Sequence, residues 1–128
     1  MVTQLTQGVE VSVAVYYQAA HSNPMQHEYV YAYRISILNL NLFSIQLLSR
    51  VWHIFDSNGT YKQVEGAGVV GVQPIIMPTD VYTYTSGCNL TTDMGTMQGI
   101  YTMLNMNNRK EFNVSIPMFD LIYPMKHN

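Results

Sequence analysis

Three glycines in the stretch EGAGVVGVQP, Gly66, Gly68 and Gly71, have the G-x-G-x-x-G spacing of loops that hold the pyrophosphate of a dinucleotide. In such folds the loop follows a strand and opens a helix, whose N-terminal amides and dipole stabilise the phosphate charge. Here Pro74 and Pro78 follow the glycines, and proline disrupts the helix that the phosphate needs. The surrounding sequence therefore argues against a dinucleotide fold.

Two other interpretations of the glycine loop remain. In the favoured one, the glycines let the chain cross closely over a sheet edge while Val69, Val70 and Val72 fill the core. In the other, free amides of the loop form a nest for a phosphate-containing ligand. Glu65, directly before the first glycine, opposes an anion there.

Metal binding is a second kind of chemistry that the sequence allows. The side chains that could ligate a transition metal are His21, His27, His53, His127 and Cys88. None of them has the short spacing of a ligand pair. The first two flank a predicted loop beside Glu28, which makes His21 and His27 a weak candidate site for cobalt or magnesium. Solvated loop histidines are the favoured alternative, and no cofactor is predicted.

Arg50 and Trp52 are two residues apart on a predicted strand, so we expect them to share a face. An arginine beside a tryptophan can stack on it or hold a carboxylate, which makes the pair a candidate binding site. An internal salt bridge or stacking pair is the favoured alternative. The eight acidic residues form no acid and base motif, and no Gly-x-Ser-x-Gly signature or paired Cys and His occurs. We therefore predict no enzymatic activity.

The composition limits the partners. The 128 residues are 48% hydrophobic and 11% charged, as in an ordered globular chain, and we expect one domain over residues 1–128. Six basic residues are scattered among eight acidic ones, so neither nucleic acid nor an anionic membrane surface is an expected partner. Cys88 is alone, and no apolar run approaches the roughly 20 residues that span a bilayer. We expect a soluble cytoplasmic protein.

Period-two alternation predicts the elements that position these residues. The predicted strands cover residues 9–17, 29–40, 45–55, 61–64, 81–85, 97–106 and 112–117. The alternation slips near Leu47 and Leu48, which is typical of a bulge, and residues 56–59 favour a hairpin turn. About seven strands without helical periodicity predict an all-β, two-sheet antiparallel sandwich of the immunoglobulin or fibronectin type III kind. Tyr29, Tyr31 and Tyr33 lie on one strand face, either as core or as an interaction surface.

Five ordered blocks of sequence carry a resemblance to a known family. They are IQLLSRVWHI (45–54), VEGAGVVGVQPIIMP (64–78), YTSG (84–87), GTMQGIY (95–101) and IPMF (116–119). Together, over about residues 9–119, they closely resemble ApaG proteins. The resemblance implies a small bacterial protein with a fibronectin-III-like sandwich and no established enzymatic activity. It also implies a link to cobalt and magnesium tolerance. Domains related to the ApaG family occur in an F-box ubiquitin-ligase subunit and in a DNA-polymerase-delta-interacting protein.

The leading functional hypothesis is a non-enzymatic interaction module that binds an unknown protein partner or a second copy of itself. Its candidate contact regions are the loops at residues 18–28 and 65–78. The alternative is a module that binds a phosphate-containing ligand or a divalent metal through the glycine loop.

Overall fold

Strands account for most of the fold in the computed structural model, which describes residues 1–127 and the side chains of residues 1–125. Within this range the strands are β1 (Val2–Thr6), β2 (Val9–Tyr17), β3 (Tyr29–Asn39), β4 (Ile45–Asp56), β5 (Tyr61–Ala67), β6 (Ile75–Ile76), β7 (Val81–Leu90), β8 (Met94–Asn105) and β9 (Glu111–Ile122). Short 3-10 helices occupy Ala19–His21, Pro24–Gln26 and Pro124–His127. In this described part of the chain, no helix has the length and apolar character needed to cross a membrane.

The strands form two antiparallel sheets that face each other. One sheet has the order β1-β2-β3-β7, and the other has the order β5-β4-β8-β9 with β6 paired to the end of β4. Strands β1 and β2 lie against β9 of the opposite sheet. This arrangement confirms the predicted two-sheet antiparallel sandwich.

The inner faces follow the predicted alternation. On β2, Val9, Val11 and Val13 are buried, and on β3 the buried side chains include Tyr31 and Tyr33. Burial of apolar side chains from both sheets supplies the main stabilising free energy of such a sandwich. Tyr31 and Tyr33 are therefore core residues, and the alternative of an exposed interaction face is wrong for these two members of the stripe.

Several predicted strands are too short, and strands β1 and β6 were not predicted. Strand β7 continues through Ser86 and Gly87 to Leu90, because its pairing with β3 satisfies the backbone where the side chains give no strand signal. Strand β1 has mostly exposed side chains and is held in the sheet by its pairing with β2. Strand β6 has only two residues. The predicted bulge is confirmed by a shift of register between Leu47 and Ser49.

Candidate functional site

The glycine loop joins β5 to β6, and its first glycine lies within β5. Gly66 pairs with Arg50 on β4, so it belongs to the sheet ladder and not to a phosphate-binding turn. The amide of Gly68 donates to the carbonyl of Leu48 at 2.8 Å. Val69 and Val72 exchange two backbone hydrogen bonds, of 2.8 and 3.0 Å. Internal carbonyls thus already occupy three of the amides that an anion nest would need.

Val70 and Gly71 form the tip of the glycine loop. Their φ angles are +48° and +77°, and with the hydrogen-bonded pair beneath them they make a two-residue hairpin turn of type I′. Valine is strongly disfavoured at positive φ because of its branched β-carbon. The prediction that three valines fill the core is correct for Val69, which is fully buried, and wrong for Val70 and Val72, which the turn directs into solvent.

Arg50 binds the backbone of the glycine loop through its guanidinium group. Its Nη1 donates to the carbonyl oxygens of Ala67 at 3.3 Å and Gly68 at 2.8 Å. Among residues 1–125 it forms no ion pair with a carboxylate, so its internal role consists of hydrogen bonds to the loop backbone and not of the salt bridge that was one of the two favoured alternatives. The structure therefore brings Arg50 together with Gly66, its partner in the sheet, and with Gly68, whose carbonyl it binds. The sequence had marked the arginine and these glycines as separate candidate sites.

Trp52 shares the inner face of β4 with Arg50, as the alternation predicts, and is only 3% exposed. Its ring centroid lies 5.4 Å from that of Tyr33 and 5.9 Å from that of Phe119, in edge-to-face arrangements. Such pairs stabilise a core beyond the burial of area alone. Trp52 is thus chiefly a core residue.

His21, His27 and Glu28 are exposed and line one cavity of about 520 Å³. Within the part of the chain that the structure describes, no three His, Cys, Asp or Glu side chains come together as a metal site. His53 lies on the outer face instead, where its Nδ1 is 2.5 Å from the hydroxyl of Tyr61. The side chain of His127 lies outside the described residues.

Cys88 is buried on the inner face of β7. Burial raises the pKa of its thiol to about 11, although the Lys62 ammonium acts in the opposite direction. At neutral pH the side chain is therefore a thiol and not a nucleophilic thiolate.

A groove runs between the edge strands β5 and β7 on the open side of the sandwich. Its inner part has a volume of about 320 Å³ and is lined by Tyr33, Arg50, Trp52, Ile54, Lys62, Val64, Ser86, Gly87, Cys88, Asn89 and Met97. The cavity of about 520 Å³ beside His21 and His27 shares Ile54, Lys62 and Asn89 with it. The two cavities therefore form one continuous groove.

Sequence reasoning missed Lys62, Ser86 and Asn89 as residues of a site. The alternation along β5 places Lys62 on the same face as Val64, and that inward lysine was the one available signal. It could not be interpreted without the order of the strands, because only that order shows β5 and β7 to be the edges beside the groove.

Asp56 closes the far end of β4 against the turn between β7 and β8. Its carboxylate accepts hydrogen bonds from the amide and the hydroxyl of Thr91, both at 2.8 Å, and from the hydroxyl of Thr92. Burial acts to raise the pKa of Asp56, but the hydrogen bonds from Thr92 and Thr91 outweigh it and the net shift is downward. The carboxylate is therefore a structural clamp.

The fold and the groove define a class of small β-sandwich proteins in which the two sheets are open on one side, between their edge strands. A family model described as the ApaG domain, DUF525, matches residues 19–105. Proteins named ApaG from Brucella canis and Sinorhizobium fredii are 43% and 44% identical to the chain over 124 residues, which is 97% of this chain and 95% of each relative. The chain belongs to the ApaG family.

Solved structures agree with this assignment. A crystal structure of an ApaA protein from Bordetella pertussis superposes with a TM-score of 0.87 at 40% identity, covering 91% of this chain and 94% of that one. The C-terminal domain of Wzt, at 7% identity and a TM-score of 0.56, shares the fold alone.

Proposed function

We propose that the chain is a non-enzymatic, cytoplasmic interaction module that binds a protein partner through the loop at residues 65–78. The observation that carries this proposal is the exposure of four apolar side chains on and beside the loop. They are Val70, Val72, Ile75 and Met77. Val70 is 62% exposed and Met77 is 58% exposed. Contiguous exposed apolar side chains are typical of protein interaction sites.

The backbone of the loop favours a protein partner over a phosphate ligand. The amides of Gly68, Val69 and Val72 donate to internal carbonyls, so they are occupied before any anion arrives. The same hydrogen bonds hold the apolar side chains in a fixed turn. A preorganised apolar surface loses little conformational entropy when a partner binds.

The strained turn supports the same proposal. A β-branched residue at positive φ costs about 1–3 kcal/mol, and such strain is often found at functional positions. The side chain of Val70 makes little use of the core, since it lies mostly in solvent. Burial in the core does not account for an apolar side chain at the loop tip, whereas burial against a partner would.

The loop at residues 18–28 is the second proposed contact region. It contains two 3-10 helices, and Met25 on the second of them is 90% exposed. Methionine adapts its shape to irregular apolar surfaces and is frequent where proteins bind one another.

Affinity capture from native lysate tests the proposal. The double variant Val72→Gln with Met77→Gln removes apolar contact area from exposed positions, and we expect it to lose a partner that the unchanged chain retains in stoichiometric amount. Met118→Gln is the matched control, since it changes an equally exposed methionine on β9. Light scattering of the purified chain detects a second copy as the partner. Capture that is equal for both variants would overturn the proposed surface.

A further inference from the structure

The inner groove between β5 and β7 contains two cationic side chains, and none of its described lining residues is a carboxylate. We propose that this part of the groove binds the phosphate group of a small phosphorylated molecule, with Arg50 and Lys62 as its charge partners. The site is distinct from the amides of the glycine loop and from the apolar surface at residues 70–77.

Arg50 has donors to spare in the groove. A guanidinium carries five N–H groups, and two loop carbonyls take up those of Nη1. Nε and Nη2 have no hydrogen-bond partner among residues 1–125. Since the carbonyls fix the plane of the guanidinium, the remaining donors are held in place for an oxyanion, which arginine binds in a planar, bidentate way.

Lys62 brings a second positive charge to the groove from the edge strand. It pairs with Ile54 on the inner face of β5, and it lines both cavities together with Asn89 of β7. The lysine thus reaches toward the opposite sheet. Two cations that line one groove give it a positive potential, which favours an anionic ligand such as a phosphate ester.

Neutral donors complete the phosphate site. Ser86 on β7 pairs with Tyr33 on β3 in the sheet, and both of these hydroxyl-bearing residues line the inner groove. Burial raises the pKa of Tyr33, so its hydroxyl stays protonated and remains a donor. A phosphate group can accept from such hydroxyls as well as from the cations.

The adjoining cavity has room for the organic part of the ligand. Its volume of about 520 Å³ is within the usual range for small-molecule sites, and Val30, Ile54 and Leu90 give it apolar walls. Asn89 lies at the junction of the two cavities and can donate or accept. The carboxylates of Glu28 and Asp56 also line this cavity, so it favours a group without negative charge. The groove therefore fits a phosphate at its inner end and an uncharged organic group at its outer end.

Lysine on an edge strand has another role that must be separated from ligand binding. An inward-facing lysine discourages pairing between exposed edges of two molecules. That role predicts more self-association in a Lys62 variant and no effect on phosphate. Ligand binding predicts weaker phosphate affinity at unchanged oligomeric state.

The test is an NMR titration of the full chain with millimolar inorganic phosphate, with adenosine monophosphate and with succinate. We expect both phosphates to shift the amides of residues 62–64 and 86–89, adenosine monophosphate to shift residues 89–91 as well, and succinate to bind more weakly. Lys62→Gln, at an exposed position, is expected to weaken phosphate binding by about tenfold, which corresponds to about 1.4 kcal/mol. Lys110→Gln, in the turn between β8 and β9, is the matched control and keeps the affinity.

Four outcomes overturn the proposal. They are no shift at millimolar phosphate, shifts confined to residues 66–71, equal affinity in Lys62→Gln and the unchanged chain, and a succinate affinity that equals or exceeds that of the phosphates. Ser86→Ala gives an independent check, because it removes a donor without changing charge and should weaken phosphate binding by a smaller factor. None of these results depends on whether a protein partner binds residues 70–77.

Discussion

Arg50 lies in the space that a side chain at residue 66 would fill. A β-carbon built on Gly66 would be 2.7 Å from Nη1 and 3.1 Å from Cζ of the guanidinium. Glycine at position 66 therefore leaves the space through which Arg50 reaches the carbonyls of Ala67 and Gly68. A central strand thereby fixes the loop that follows β5.

The three glycines of the dinucleotide-like pattern have three separate causes. Gly66 admits the arginine. Gly68 has a φ of +58°, and a β-carbon there would lie 2.0 Å from the carbonyl oxygen of Val72. Gly71 has a φ of +77° at the tip of the hairpin turn. The G-x-G-x-x-G spacing thus arises from loop geometry, and no phosphate is needed to explain it.

Gly66→Ala should lower the free energy of unfolding by about 1–3 kcal/mol, because the guanidinium must move away from two carbonyls that it now satisfies. Chemical denaturation measures the change. The control is Gly87→Ala on β7, where a new β-carbon would make an ordinary contact of 3.4 Å and little change is expected. Equal stability of the two variants would contradict the role assigned to Arg50.

Val70→Asn should raise the stability of the chain while it weakens partner binding. Asparagine followed by glycine is the preferred sequence of a type I′ turn, so the substitution relieves strain of about 1 kcal/mol and raises Tm by about 3 °C. The same change removes an exposed apolar side chain from the proposed contact surface. Thermal unfolding and affinity capture measure the two effects. A lower Tm would mean that the valine side chain contributes more than its backbone strain costs.

Asn39 should prove one of the least replaceable polar residues of the described chain. Its Nδ2 donates to the carbonyls of Phe43 at 2.9 Å and Ile76 at 3.0 Å, and its Oδ1 accepts from the amide of Asn41 at 3.0 Å. It is fully buried and ties β3 to β6, at the base of the glycine loop. Asn39→Ala leaves these groups unpaired and should cost about 3 kcal/mol or more. Asn113→Ala, at an exposed position on β9, should change the free energy of unfolding little.

The sequence allowed the sandwich to be predicted because its inner residues alternate. Strand β2 and the inner face of β3 follow from period two alone, and the bulge at Leu47 follows from the slip in that period. The exposure of the Val70 side chain to solvent could not be predicted, since it depends on a turn conformation that valine disfavours. Lys62 could not be assigned to the same groove as Arg50 either, because the groove exists only where the two sheets leave their edges β5 and β7 open.

Asp56 should make the stability of the fold depend on pH in the acidic range. Its pKa in the folded chain lies below the ordinary value of 3.8, because hydrogen bonds from Thr92 and Thr91 outweigh the effect of burial. A depressed pKa gives stability that is present above the unfolded pKa and is lost as the pH falls through the folded one. Asp56→Asn should therefore lower the free energy of unfolding by about 1–2 kcal/mol at neutral pH, allowing for the partial exposure of the carboxylate.

The difference between Asp56→Asn and the unchanged chain should shrink as the pH falls from about 7 to about 3, since the carboxylate then loses the charge that its hydrogen bonds stabilise. Urea unfolding at a series of pH values measures it. Asp120→Asn, at an exposed position on β9, is the matched control and should show a small difference throughout. If the difference at Asp56 keeps its full size at low pH, the clamp acts through neutral hydrogen bonds and packing, and the charge of the carboxylate contributes nothing.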